Sequence, residues 1–232
     1  MKVVILAAGR GSRMNSATSD KPKCMIPFEG STIIQRTLDA LLKIFPPCDV
    51  YIVGGYKSNL LENLGVNLIE NQLWESTNIM GSLLIADQIL SKSDTLVVYS
   101  DIVFDVSALD LMKNSPVPGV LSLRDWNQIW SARFNDPLVD VEGFKTENGI
   151  VKLIGGKAQE LDEIEGQFGG MFTTNPSTWT ALKKLNNLET LDSTTALNQI
   201  VQKGVMISVV PYSGFWAEFD SMEDINNQGY KN

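Results

Sequence analysis

The chain has no histidine among its 232 residues. That excludes histidine acid–base catalysis, a Ser-His triad and any histidine-ligated metal, so a metal here must be a hard cation on carboxylates. Cysteine is scarce too. Cys24 and Cys48 are the only two, and their spacing fits neither a disulfide framework nor a zinc site. There is no excess of positive charge: 19 Lys and Arg face 27 Asp and Glu, a formal net charge of −8. A general nucleic-acid binder needs a basic face to release counterions, so a nucleic-acid partner is disfavoured. A small anion in a local basic pocket is still allowed. No apolar run reaches bilayer length, and the N-terminal one is too short for a signal peptide. The expectation is a cytoplasmic protein with no membrane partner.

What is present suits a large α/β domain. Apolar residues make up 44% of the chain, enough to bury a proper core. Met1 to Leu6 is a strand whose unbroken apolar run predicts burial on both faces. Residues 31–45 carry apolar side chains at helical spacing, with Ser31 or Thr32 as N-cap and Pro46-Pro47 as the stop. Val50 to Val53 is a second strand closed by Gly54-Gly55, and Asn67 to Glu70 is a third. A short helix is expected from Ser58 to Leu64, and a longer one from Ser82 to Leu90. Thr95 to Tyr99 is a buried strand ending at Ser100-Asp101. This alternation predicts a parallel, doubly wound sheet, whose ligands sit at the carboxyl ends of the strands.

The second half is more mixed. Val117 to Leu123 reads as a strand, and Asn148-Gly149 predicts a hairpin between Phe144–Thr146 and Ile150–Ile154. Ser193 to Lys203 reads as a helix and Val205 to Val210 as the last strand. Ser221 with Asp224 has the form of a helix cap. These later strands are expected to extend the sheet and build a small lid over its open edge.

Ala7-Ala8-Gly9-Arg10-Gly11-Ser12 follows the first strand. Small residues there let backbone N–H groups approach a phosphate chain, and Arg13 and Lys23 would add mobile positive charge. The same loop would also serve as an ordinary βα turn. Asp101 and Asp220 each end an apolar run, where a pair of carboxylates suits octahedral Mg²⁺. Asp220 could equally cap the helix that follows it.

Taken together, Leu6 to Arg13 followed by Lys21-Pro22-Lys23 closely resembles the signature of the sugar-phosphate nucleotidylyltransferase superfamily. Thr77 to Leu83, Ser100 to Phe104, Arg124-Asp125-Trp126, Trp130 to Phe134, Asp136-Pro137-Leu138 and Asp162 to Gln167 resemble one branch of it. That branch is the CTP:phosphocholine and CTP:phosphoglutamine cytidylyltransferases. The resemblance implies a Rossmann-like doubly wound, mixed but mainly parallel sheet. It also implies a single domain over 1–232, with a nucleotide half at 1–115 and an acceptor half and lid at 116–232. Leu6, Ala7, Ala8, Gly9, Gly11 and Ser12 would cradle the nucleotide, with Arg13 and Lys23 on its phosphates. Gly54, Asn78 and Ser82 would lie beside cytosine and ribose, backed by Tyr99 and Ser100. Asp101 and Asp220 would hold Mg²⁺, and either Lys157 or Arg124 would grip the acceptor phosphate.

The implied reaction joins CTP to a small phosphorylated or phosphonate amino compound and releases pyrophosphate. Trp126, Trp130 and Trp216 could cage a quaternary ammonium, although rings more often pack a core. Arg133, Glu165 and Gln167 favour an acceptor with separate amino and carboxyl ends. Two alternatives stay open: a hexose 1-phosphate acceptor with another NTP, and a nucleotide-binding regulatory protein without catalysis. A monomer and a homodimer are both compatible with the sequence. A Rossmann dehydrogenase is disfavoured, because Gly54-Gly55 stands where an acidic ribose-binding residue is needed.

Overall fold

A computed structural model describes residues 1–226. Its strands are β1 Lys2–Ala7, β2 Pro27–Phe28, β3 Ser31–Thr32, β4 Val50–Gly54, β5 Asn67–Glu70, β6 Thr95–Tyr99 and β7 Ile102–Phe104. They continue with β8 Gly119–Leu123, β9 Glu142–Glu147, β10 Ile150–Lys157, β11 Gln167–Thr174, β12 Ser208–Tyr212 and β13 Trp216–Glu218. The helices are α1 Ile33–Leu41, α2 Ile79–Ile85, α3 Asp87–Leu90, α4 Val106–Asn114, α5 Trp126–Arg133, α6 Pro176–Leu182, α7 Ser193–Gln202 and α8 Met222–Asn226. Among the described residues no helix is long and apolar enough to cross a membrane.

Nine strands form one sheet, ordered β5-β4-β1-β6-β11-β8-β12-β10-β9. β5, β4, β1 and β6 are parallel, and only β11 and β10 run against the rest. The sheet is therefore mixed and mainly parallel, as expected. Burial explains the unbroken apolar run of β1. Val3, Ile5 and Ala7 enter the core on one face, under α1 and α4, while Val4 and Leu6 enter the other, under α2, α6 and α7. Strand side chains alternate, so two-sided burial demands apolar residues at every position.

Local signals place most of the surrounding elements. Thr32 caps α1, its hydroxyl accepting from Gln35 N at 3.2 Å. Asn148 and Gly149 both take positive φ between β9 and β10, which suits a two-residue hairpin turn. Some boundaries differ from expectation. The segment from Ser58 is one 3₁₀ turn to Leu61, and the helix around Ser82 starts at Ile79 and breaks at Ala86. The strand expected at Val205–Val210 starts at Ser208, because Val205 N donates to Ile200 O and closes α7 instead. Nor is it the last strand. β13 follows and pairs antiparallel with β7, Trp216 opposite Phe104 and Glu218 opposite Ile102. That two-stranded ribbon carries the chain back to the carboxyl end of β6.

Candidate active site

The loop after β1 turns at Gly11, whose φ is +75°. A Cβ there would lie 2.6 Å from Lys23 Cβ, so glycine answers both the left-handed backbone and the close passage of the lysine stem. Lys23 is thereby laid along the loop with its ammonium beyond it. Lys23 Nζ stands 2.5 Å from Asp101 Oδ2 and 3.0 Å from Asp220 Oδ1. Asp101 follows β6, and Phe219 N donates to the Asp101 carbonyl at 3.0 Å, which brings the two aspartates together. Glu218, at the end of β13, joins them: one oxygen from each of Asp101, Glu218 and Asp220 falls within 4.8 Å of the others.

Three cations oppose this acidic cluster. Besides Lys23, Arg13 reaches Asp220 Oδ1 at 2.8 Å from an exposed position. Arg133 is buried, its side chain 1% exposed, and bonds Glu218 and Asp224 at 3.0 Å each and Asp220 at 3.5 Å. Asp224 caps α8 as expected, accepting from Ser221 N at 2.8 Å and Asp220 N at 3.0 Å. The Asp220 carboxylate is thus directed into the cluster rather than spent as a cap. Burial by itself would raise the Asp220 carboxyl, but Lys23, Arg13 and Arg133 outweigh it and hold it below the ordinary range. Glu218 lies above its ordinary range, because burial and the neighbouring Asp220 and Asp101 outweigh Arg133. Lys23 is held firmly in its charged form, the two aspartates overcoming burial.

The cluster sits at the junction of a continuous trench. One cavity of about 290 Å³ runs from Leu6, Gly9 and Gly11 past Lys23 to Tyr99, Ser100 and Asp101. It shares Leu6, Gly9 and Ile79 with a slot of about 130 Å³ walled by Ala8, Trp74, Asn78 and Ser82. On the other side it shares Arg13, Tyr99, Glu218 and Asp220 with a cavity of about 260 Å³. That third cavity adds Trp130, Phe168, Asp140, Glu142, Asp192 and Thr194. It is acidic and aromatic. Glu142 is notable in it: burial first, then Asp192 and Asp140, push its carboxyl up to about 7 although Thr194 Oγ1 donates to it at 3.0 Å.

Several candidate residues stand elsewhere. Ala7 packs in the core, and Ser12 is exposed. Gly54 abuts Ser58, Leu61 and Leu68, and it is Gly55 that lies against Trp74 and the Ala8 carbonyl. The three tryptophans make no open cage. Trp126 and Trp216 are core residues; Trp216 donates to Gly169 O at 3.0 Å and stacks on Trp130 at 5.8 Å. Only Trp130 of the three reaches the acidic cavity, joined there by Phe168 and Tyr99. Arg133 is committed to carboxylates. Gln167 lines the cavity, but its amide is locked on the Glu142 backbone, donating to Glu142 O at 2.6 Å and accepting from Glu142 N at 3.1 Å. Arg124 and Glu165 share a separate groove, where Glu165 accepts from Thr146 N and Oγ1 at 2.8 Å each. Lys157 is exposed at the end of β10, paired in register with Glu142.

Other site residues carried no sequence signal that singled them out. Trp74, Asp140, Glu142, Asp192 and Thr194 sit in a loop, caps, a strand start and a first helical turn of unremarkable composition. Asp192 could have been noticed as the N-cap of α7, where it accepts from Thr195 N at 2.7 Å. Asn71 is fully buried and donates to Thr77 Oγ1 at 3.0 Å and Ser82 Oγ at 3.1 Å, bracing the slot beside Trp74.

A glycine-rich loop, a lysine on paired aspartates and a trench across the strand ends form one candidate site, and comparison with known proteins shows the class of enzyme that carries it. The sequence model of the MobA-like NTP transferase domain matches residues 3–117. The chain is 30% identical to the CTP:phosphoglutamine cytidylyltransferase of Campylobacter jejuni, across 98% of this chain and 99% of that protein. It is 28% identical to a CMP-5'-(3-aminopropyl)phosphonate synthase of Streptomyces rubellomurinus, over 50% of this chain and 19% of that one. In fold it is similar to an inositol-1-phosphate CTP transferase from T. maritima, with TM-score 0.80, 21% identity and 99% and 93% of the two chains covered. The CTP:phosphocholine cytidylyltransferase of Streptococcus pneumoniae gives TM-score 0.72 and 18% identity, over 97% and 96% of the chains. The protein is a nucleotidyltransferase enzyme. More narrowly, it belongs to the cytidylyltransferase family.

Proposed function

We propose that this protein joins CTP to a small phosphorylated or phosphonate compound bearing an ammonium group, with release of pyrophosphate. The observation that carries the reading is the position of the cluster of Lys23, Asp101, Glu218 and Asp220. It lies where the nucleotide trench meets an acidic, aromatic cavity. The slot between Ala8, Trp74 and Ser82 suits the base, and the N–H groups near Gly9 and Gly11 suit the triphosphate. In the cavity beyond, Asp140, Glu142 and Asp192 favour a cation, and Trp130 and Phe168 offer ring faces to it. A hexose brings no positive charge to balance those carboxylates.

The chemistry needs position and charge rather than a base. A phosphoryl or phosphonate oxygen of the acceptor, already anionic, attacks the α-phosphorus of CTP in line. The bond from that phosphorus to the bridging oxygen breaks, and pyrophosphate carries away the electron pair. Lys23 and Arg13 draw the two anions together and stabilise the charge that grows on the leaving group. The donors also suit Mg²⁺: three carboxylates converge, and Asp101 Oδ1 is buried without a hydrogen-bond partner among the described residues. Held there, Mg²⁺ would supply further charge neutralisation to the triphosphate. Lys157 and Arg124 are both solvent-facing, and the register pairing of Lys157 with Glu142 supports Lys157 over Arg124 as the group that grips the acceptor phosphate.

Pyrophosphate release tests the reading with each NTP against phosphocholine, phosphoethanolamine, a phosphorylated amino-acid amide, an aminoalkyl phosphonate and glucose 1-phosphate. Turnover is expected with CTP and the cationic acceptors and to vanish with EDTA. Preference for glucose 1-phosphate, or for UTP, dTTP or GTP, would overturn it. So would CTP binding without turnover on any acceptor.

A further inference from the structure

Lys23 is committed to carboxylates more fully than a phosphate-binding lysine has to be. Its side chain is 15% exposed, and its ammonium bridges Asp101 and Asp220 at 2.5 and 3.0 Å. Its stem lies against Gly11, so the residue is anchored to the phosphate loop while its charge is on the opposite wall. Both walls line one cavity of about 290 Å³. An ammonium is a compact charge with three donors and satisfies this cluster only in part, since Asp101 Oδ1 is left buried with no hydrogen-bond partner among the described residues. A larger set of oxygens suits a divalent cation. The ammonium and such a cation compete for the same oxygens of Asp101 and Asp220.

Arg13 shows what distinguishes Lys23. It too bonds Asp220 Oδ1, at 2.8 Å, but its side chain is 68% exposed and can turn into water at little cost. Lys23 is more enclosed, its side chain 15% exposed. Leaving the aspartates without a new anion would give up two ion pairs at a largely buried ammonium. The triphosphate supplies that anion.

We propose that Lys23 is an internal counter-cation. It yields Asp101 and Asp220 to a divalent cation only when a nucleoside triphosphate offers its ammonium new oxygens, so cation and nucleotide bind as a linked pair. The inference rests on the reading of Asp101, Glu218 and Asp220 as the seat of that cation. Linkage is reciprocal: whatever the nucleotide adds to cation affinity, the cation adds to nucleotide affinity. The device offsets the crowded charges of Asp101 and Asp220 in the free protein.

The test is Mn²⁺ binding, read by electron paramagnetic resonance without nucleotide, for the wild type, Lys23→Met and Arg13→Met. Lys23→Met is expected to bind Mn²⁺ on the order of tenfold to a hundredfold more tightly than wild type, because two charge-assisted contacts no longer have to be broken. Arg13→Met is expected to stay within about threefold of wild type, its exposed pair being weak. Equal Mn²⁺ affinity in wild type and Lys23→Met overturns the counter-cation, and an equal gain in Arg13→Met reduces it to general electrostatics. The wild type carries a second test in thermal melts, independent of how Lys23→Met folds. Mn²⁺ and CTP together should raise Tm by more than the sum of their separate shifts, and simple additivity overturns the linkage. If no form binds Mn²⁺ even with CTP, the cation reading of the carboxylates falls as well.

Discussion

Replacing Glu142 with Gln should make the protein more stable and, at the same time, a poorer enzyme. Glu142 opens β9 and faces the acidic cavity, where burial, Asp192 and Asp140 push its carboxyl from the ordinary 4.5 up to about 7. The folded protein therefore holds this proton more tightly than the unfolded chain does. Stability conferred by the protonated form is present below about pH 4.5 and is lost as pH rises through about 7. At ~1.36 kcal/mol per pH unit, the interval from 4.5 to about 7 corresponds to at most roughly 3 kcal/mol. Glu142 has partial access to solvent in the cavity, which reduces the expected effect to about 1–2 kcal/mol. Glutamine keeps the shape and can still accept from Thr194 Oγ1, but it never ionises. Urea melts of Glu142→Gln and wild type should coincide near pH 4.5 and separate by about 1–2 kcal/mol at pH 8, the variant being the more stable. In thermal melts at pH 8 that gap amounts to roughly 2–8 °C for a chain of this size. Under the proposed function, the variant also loses a charge facing the acceptor. Its KM for a cationic acceptor should rise on the order of tenfold at pH 8 with kcat little changed, a loss of uniform binding. A stability gap that does not change between the two pH values, or that favours wild type at pH 8, would refute the reasoning.

Gly55→Ala tests the wall of the proposed base slot. The added Cβ would stand 2.5 Å from Trp74 Cβ and 2.7 Å from the Ala8 carbonyl, so the variant should lose about 1–3 kcal/mol in urea melts and bind CTP more weakly by calorimetry. A variant matching the parent in both would show that the loop yields at no cost. Asp87 tests acid stability away from the site. Hydrogen bonds from Lys183 and Trp179 hold its carboxyl down at about 2, so its contribution is complete above its ordinary 3.8 and is lost as pH falls toward about 2. Asp87→Asn should trail wild type by a constant amount, under about 1 kcal/mol for so exposed a pair, at neutral pH. That gap should close toward pH 2, and one that persists there would place its origin in packing rather than ionisation.

Much of the nucleotide half was legible because its signals are local. An apolar run buried on two faces, a loop of small residues and a cap at Thr32 each declare themselves within a few residues. The missing histidines exclude imidazole chemistry outright. Asp101 and Asp220 could be chosen as strand-end carboxylates, and Lys23 by its motif. Their meeting was implied by the family resemblance but not by local pattern, since it depends on β7 pairing with β13 and on the Phe219 N–H finding the Asp101 carbonyl. Glu218 joined the cluster through that same pairing.

The acceptor half shows the opposite case. Arg133, Trp126 and Trp216 have the composition of a ligand pocket, yet they are spent on an ion-pair network and a core. The cavity itself is assembled from the start of β9, the cap of α7, the end of β13 and one face of α5. The sequence by itself determined the sheet's parallel half, a loop of small residues after its first strand and a repertoire without histidine chemistry. Tertiary structure alone decided which charges are free to face a substrate. Composition and spacing record that a side chain is charged, but only long-range packing settles whether its partner is another side chain or a ligand.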